Sequence, residues 1–158
     1  MTSQPSLHLP ITGAFALPFA AYYIVLSVRV GLQRIKQRVA IGDRVPPPPS
    51  SPTSSTPTQA QTPTTKFHTT SDPLHLATRA QQNFAEFVPL ALLLSTIAEL
   101  NGASPRILRG ALATLLVARM LHVEGGILRP GAMGWGRPVG FYGTLGVLGG
   151  LAWVAGGW

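Results

Sequence analysis

Val139–Trp158 reads VGFYGTLGVLGGLAWVAGGW, twenty consecutive residues without one charge. Wound as a helix, that stretch rises about 30 Å, the thickness of a bilayer hydrocarbon core. A helix on the surface of a soluble protein shows a polar face every 3.6 residues or so. This stretch shows none, which sets aside the alternative of a soluble bundle with buried core helices.

Three further runs lie upstream. Ile11–Val28 is also uncharged, Phe87–Ile97 lies between Glu86 and Glu99, and Ile107–Val123 is apolar apart from Arg109, Arg119 and His122. Four such segments predict an all-α fold, a transmembrane four-helix bundle occupying residues 1–158 as a single membrane domain and embedded in a lipid bilayer. The whole composition agrees. Of 158 residues 46% are hydrophobic and only 11% charged, against about 25% charge in soluble proteins. With no cysteine, a disulfide scaffold, a Cys-zinc site and a cysteine nucleophile are excluded.

Flanking charge orients the bundle. Residues 1–10 carry no Lys or Arg, so the basic start of a secretory signal is missing. Arg29, Arg34, Lys36, Arg38 and Arg44 follow the first run, which places its C-terminal end in the cytosol. The third loop shares that side and holds Arg129 and Arg137. The net charge of +7 then needs no nucleic acid, because anionic lipid head groups attract cytosolic arginines.

Between the first two helices stands PPPPSSPTSSTPTQAQTPTT, Pro46–Thr65. It cannot bury enough apolar surface to offset the entropy of ordering, so residues 44–73 are expected to form a disordered cytosolic insertion. Pro46–Pro49 suits a polyproline II helix that an SH3-like module could dock. Ser51-Pro52, Thr56-Pro57 and Thr62-Pro63 suit phosphorylation. A tolerated insertion without either role is the plainer reading.

Charged groups at membrane depth are expensive unless they find a partner, a cavity or the interface. Arg79, Asn83 and Glu86 fall at i, i+4 and i+7, on one helical face. Arg119 and His122 share a face of the third helix. Arg29 and Arg137 lie at the ends of the first and fourth, on the same cytosolic side. The cluster could bind an ionic guest, or Arg79 and Glu86 could neutralise each other and hold helices together. His122 could pack or act as a base; as a lone imidazole it offers no metal site.

The stretch RAQQNFAEFVP, Arg79–Pro89, resembles the R-A-x-x-N-x-x-E-x-x-P pattern of the MAPEG family, membrane-associated proteins in eicosanoid and glutathione metabolism. Leu26–Val30, Arg34 and Ile41–Asp43 are similar to the end of helix one in its bacterial-type members. Arg119-Met-Leu-His122 with Gly125 resembles the R-x-x-H-x-x-G of helix three, and Arg137, Gly140 and Thr144 look like the opening of helix four. The resemblance implies a bacterial- or fungal-type member, a homotrimer with glutathione bound between neighbouring subunits. Arg79 would hold a glutathione carboxylate, Asn83 its backbone and Glu86 a cationic group. Arg29, Arg119, His122 and Arg137 would complete the site, with Arg29 and Arg137 the catalytic candidates. Guanidinium charge lowers a thiol pKa, and a thiolate is the reacting form.

Val30, Phe87 and Gly126 stand where some eicosanoid-forming members carry an arginine and two tyrosines. These departures argue against a dedicated leukotriene or prostaglandin synthase. What the resemblance implies is a glutathione-dependent transferase or peroxidase acting on lipophilic electrophiles, with the endoplasmic reticulum the expected membrane. The alternative is a non-catalytic four-helix membrane scaffold of the same fold.

Helix four carries Gly140, Gly143, Gly146 and Gly149 every third residue, and Gly146 with Gly150. Such a stripe is expected to admit a neighbouring helix at close range, with Trp135 and Trp158 as interfacial anchors. Pro18 is expected to bend helix one.

Overall fold

A computed structural model describes residues 9–42 and 72–157. They form four α-helices, α1 (Pro10–Gln37), α2 (Pro73–Leu100), α3 (Pro105–His122) and α4 (Gly136–Ala155). Most of the expected insertion lies outside the described residues. Its last two positions are seen as the start of α2: Pro73 is the first helical residue, and the Asp72 carboxylate accepts from the Leu74 amide at 2.9 Å. That is an N-cap, and it sets where the helix begins.

Both long helices run well past their apolar stretches. α1 continues through the basic residues to an αL cap at Arg38, and α2 begins fourteen residues before Phe87. Three helices, α1, α2 and α4, are long and apolar enough to cross a membrane. α3 is the exception to the four expected spans, because Arg106, Arg109 and Arg119 lie within its 18 residues. Its apolar side chains Leu108, Leu112 and Leu115 are nevertheless wholly buried in the bundle. α3 packs chiefly on α4, and α1 on α2. Phe19, Leu26, Phe84 and Leu151 join the same central core.

The two faces of the glycine stripe separate. A methyl group added at Gly140 would lie 2.5 Å from His122 Cβ, whereas one at Gly146, Gly149 or Gly150 would meet nothing within 4 Å. Close approach of α3 and α4 therefore depends on the first turn and a half of α4. Gly143 is in ordinary contact range of Ala118 Cβ at 3.5 Å, and the later glycines are open within the subunit.

α1 has no acidic residue in its first turn and no cap of its own. Its orphan amides are satisfied from across the bundle. Glu99 accepts from the Ile11 amide at 2.8 Å and the Thr12 amide at 2.9 Å. Beneath it the Thr12 and Ser95 hydroxyls meet at 3.0 Å, both buried. Asn101 ties the same end to α4 by donating to the Ala155 carbonyl at 2.8 Å. A carboxylate here also faces the positive end of the helix dipole.

Glu99→Ala is expected to destabilise the bundle by about 1–3 kcal/mol, since two amides lose their acceptor. Thermal unfolding in detergent measures it, with Asn101→Ala as the smaller control. Gly140→Ala should abolish folded protein while Gly146→Ala leaves the isolated subunit's melting temperature unchanged.

Candidate functional site

At the end of the bundle where α1 stops and α2 and α4 begin, Arg79, Asn83, His122 and Arg137 line one cleft of about 210 Å³. His75 joins them. The walls thus hold two guanidinium groups, an amide and two imidazoles, with no carboxylate among the described residues. Three of these come from α2 at successive turns, His75, Arg79 and Asn83, so a 28-residue helix places them in one row.

Behind Asn83 sits Arg119, at 1% exposure the largest fully buried side chain of the described residues. Its Nη1 donates to Asn83 Oδ1 at 2.7 Å and its Nη2 to the Gly140 carbonyl at 2.9 Å. The Phe87 ring covers it, 5.0 Å from the guanidinium carbon to the ring centre, close enough for a cation–π contact. The Gly140 carbonyl also accepts from Thr144 Oγ1 at 2.8 Å. One buried arginine thus joins α2, α3 and α4. The absence of a side chain at Gly140 is what lets α3 come near enough.

His122 is buried too, and its Nδ1 lies 2.8 Å from the Arg137 carbonyl oxygen. A carbonyl only accepts, so Nδ1 carries the proton and, in the neutral ring, Nε2 keeps its lone pair. Arg137 in turn donates from Nη1 to the Ala132 carbonyl at 3.1 Å, which anchors its side chain over the loop before α4.

Two sequence candidates stand apart from this cleft. Arg29 lies in a second cleft with Gln33, Leu76 and Leu128, and its Nη1 is bound to Glu124 in a salt bridge. Tyr22 donates to the same carboxylate at 3.2 Å. Glu86 is exposed on α2, with no hydrogen-bonded or ionic partner among the described residues. Arg79 and Glu86 do not pair with each other; Arg79 reaches Gln82 at 3.4 Å.

Sequence reasoning passed over His75 and Glu124. His75 precedes Arg79 and Asn83 by four and eight positions, a spacing visible once α2 is extended to Pro73. Glu124 is one of only five acidic residues, and in an apolar chain each carboxylate is worth tracing to its donors. Glu124 lies in the π-helical turn Val123–Ile127 that follows α3, with Gly125 and Gly126 beside it, and from there it meets Arg29 of α1.

A sequence model of the MAPEG family matches residues 12–157. The chain belongs to the MAPEG family. No curated protein and no solved structure is similar enough to count as a match. The match spans all four helices of this MAPEG chain, and within it Arg79 and Asn83 of α2 lie beside His122 of α3 in one cleft.

If Glu124 anchors Arg29, then Glu124→Gln should weaken the α1–α3 junction and leave the Arg119–Asn83 contact intact. The expected outcome is protease cleavage that accelerates near residues 38–42 on the mutant, with the thermal midpoint only a few degrees lower.

Proposed function

We propose that this MAPEG protein is an integral membrane glutathione-dependent transferase or peroxidase acting on lipophilic electrophiles. The observation that carries the reading is the convergence of Arg79, Asn83, His122 and Arg137 on one cleft that no described carboxylate lines. Glutathione carries two carboxylates, an ammonium and a thiol. Guanidinium forks bind carboxylates bidentately, and guanidinium charge beside the thiol favours the thiolate. Arg79 and Asn83 would hold the tripeptide and Arg137 would stabilise the sulfur.

Space supports a shared site. At about 210 Å³ the cleft is smaller than the roughly 300–1,000 Å³ of small-molecule sites. Beside it, Arg79, Gln82 and Glu86 stand exposed on one side of α2. At membrane depth such a polar strip requires cover. A neighbouring copy in a homotrimer would close the cleft, and Glu86 would meet the glutathione ammonium or a cation of that copy. Arg29, held by Glu124 in the adjacent cleft, would add positive field rather than touch the sulfur.

A lipophilic partner substrate has a place to lie. Phe19, Tyr23, Phe84, Val88 and Pro89 line an almost wholly apolar groove of about 420 Å³ between α1 and α2. Asn83 in the cleft and Phe84 in the groove are consecutive residues of α2, so the two spaces lie on neighbouring faces of that helix. The endoplasmic reticulum is the membrane we propose, with the cleft open to cytosolic glutathione.

A second reading, a non-catalytic membrane scaffold, draws on Arg119. Its bonds all go to the chain itself, as cement would. The two readings part on Arg79→Ala, which costs glutathione binding in an enzyme and assembly in a scaffold.

Titration of glutathione into detergent-purified oligomers, read by thiolate absorbance and a conjugation assay, is expected to show saturable binding. Intact oligomers that bind nothing at millimolar glutathione refute the enzyme. Arg137→Leu should lower the conjugation rate by about a hundredfold with little change in melting temperature.

A further inference from the structure

We infer that Arg119 is a positioning residue that fixes Asn83 as a hydrogen-bond donor, so that the cleft selects a ligand presenting an acceptor oxygen at that point. The inference rests on the glutathione reading for the ligand's identity, but its geometry does not.

A guanidinium has five donors and no acceptor. With Arg119 Nη1 2.7 Å from Asn83, the amide must therefore turn its oxygen inward, and the planar side chain then points its N–H₂ group away from Arg119. Asn83 is half-buried and lines the cleft, and Nδ2 bonds no other described residue. The amide cannot flip without setting two donors against each other. Arg119 cannot swing away either. Its other arm is held by the Gly140 carbonyl, its charge is capped by Phe87, and no space remains around it at 1% exposure.

The charge on Arg119 acts in the same sense. Among the described residues no carboxylate bonds to it, and their ion pair is Arg29 with Glu124. Its Nε, buried and unpartnered, leaves the group under-satisfied. A buried guanidinium without a counter-charge is costly, and an anionic or carbonyl-bearing guest beyond Asn83 relieves that cost through the polarised amide. Arg119 thus acts on the ligand through Asn83 without touching it.

The test compares Asn83→Asp with Asn83→Ala, and Arg119→Lys with Arg119→Met, in detergent-purified oligomers. Thermal midpoint and glutathione affinity by calorimetry are the two measurements. Asn83→Asp keeps the shape and faces Arg119 with a carboxylate, but offers the ligand an acceptor in place of a donor. The expected result is a midpoint equal to or above the native one together with affinity weakened about tenfold or more, beyond the loss in Asn83→Ala. Arg119→Lys, which keeps one donor for Asn83, should retain more affinity than Arg119→Met. Native-like affinity in Asn83→Asp overturns the inference, because a purely structural contact would be strengthened without touching the ligand. A midpoint for Asn83→Asp below that of Asn83→Ala also overturns it, whether or not glutathione binds. Should native protein ignore glutathione while Asn83→Asp raises the midpoint, the glutathione reading falls and the orientation imposed by Arg119 stands.

Discussion

A permanently charged side chain buried in an apolar bundle must have its hydrogen bonds supplied by its neighbours, and Arg119 draws them from two other helices. Its donors need acceptors at fixed distances, which Asn83 on α2 and the Gly140 carbonyl on α4 provide. Those contacts settle more than the arginine. They require α4 to lie against α3 at a separation that only a glycine permits, and they set α2 in register so that Asn83, with Arg79 and His75 on the turns before it, opens toward the cleft. Removing the charge would release three helices at once.

The two ends of the molecule are built by different physics. At one end, Glu99 satisfies the amides of α1 and buried hydroxyls pair beneath it, so the polar groups are consumed by the fold. At the other, the described side chains are richer in donors than in acidic acceptors. Arg79, Arg137 and Asn83 face a shared space with no carboxylate among the described residues, and the acid that does approach, Glu124, is taken by Arg29 and Tyr22. An excess of donors around a cleft is a demand for an anionic ligand. That imbalance is the physical basis of the proposed glutathione site.

The outer surface carries a related imbalance. Glu86 and Gln82 are exposed on the same helix whose opposite face supplies Phe84, Val88 and Ala91 to the core. Toward lipid this strip would be unfavourable; toward another copy of the chain it becomes part of an interface. The open glycines of α4 are equally without partners inside the subunit. Both features accord with the proposed trimer, in which a site is shared between neighbours.

Hydropathy alone determined the class of this protein. A charge-free twenty-residue run and three lesser ones leave room only for helices in a membrane, because a spanning backbone must satisfy its own hydrogen bonds. The spacing of Arg79, Asn83 and Glu86 was legible for the same reason, since helical periodicity turns sequence separation into shared direction. It did not separate their fates. Glu86 points outward, Asn83 lines the cleft, and Arg119, equally charged on paper, is sealed behind it. Nor did periodicity carry Glu124 to Arg29, because a π-helical turn breaks the 3.6-residue rule on which such reading rests. Which glycines are tight and which are open was also beyond the sequence, as that depends on where a second helix crosses. Sequence thus specified the helices and their polar rows. Helix crossing decided which charges bond to the chain and which remain for a ligand, since that depends on distances between residues far apart in sequence.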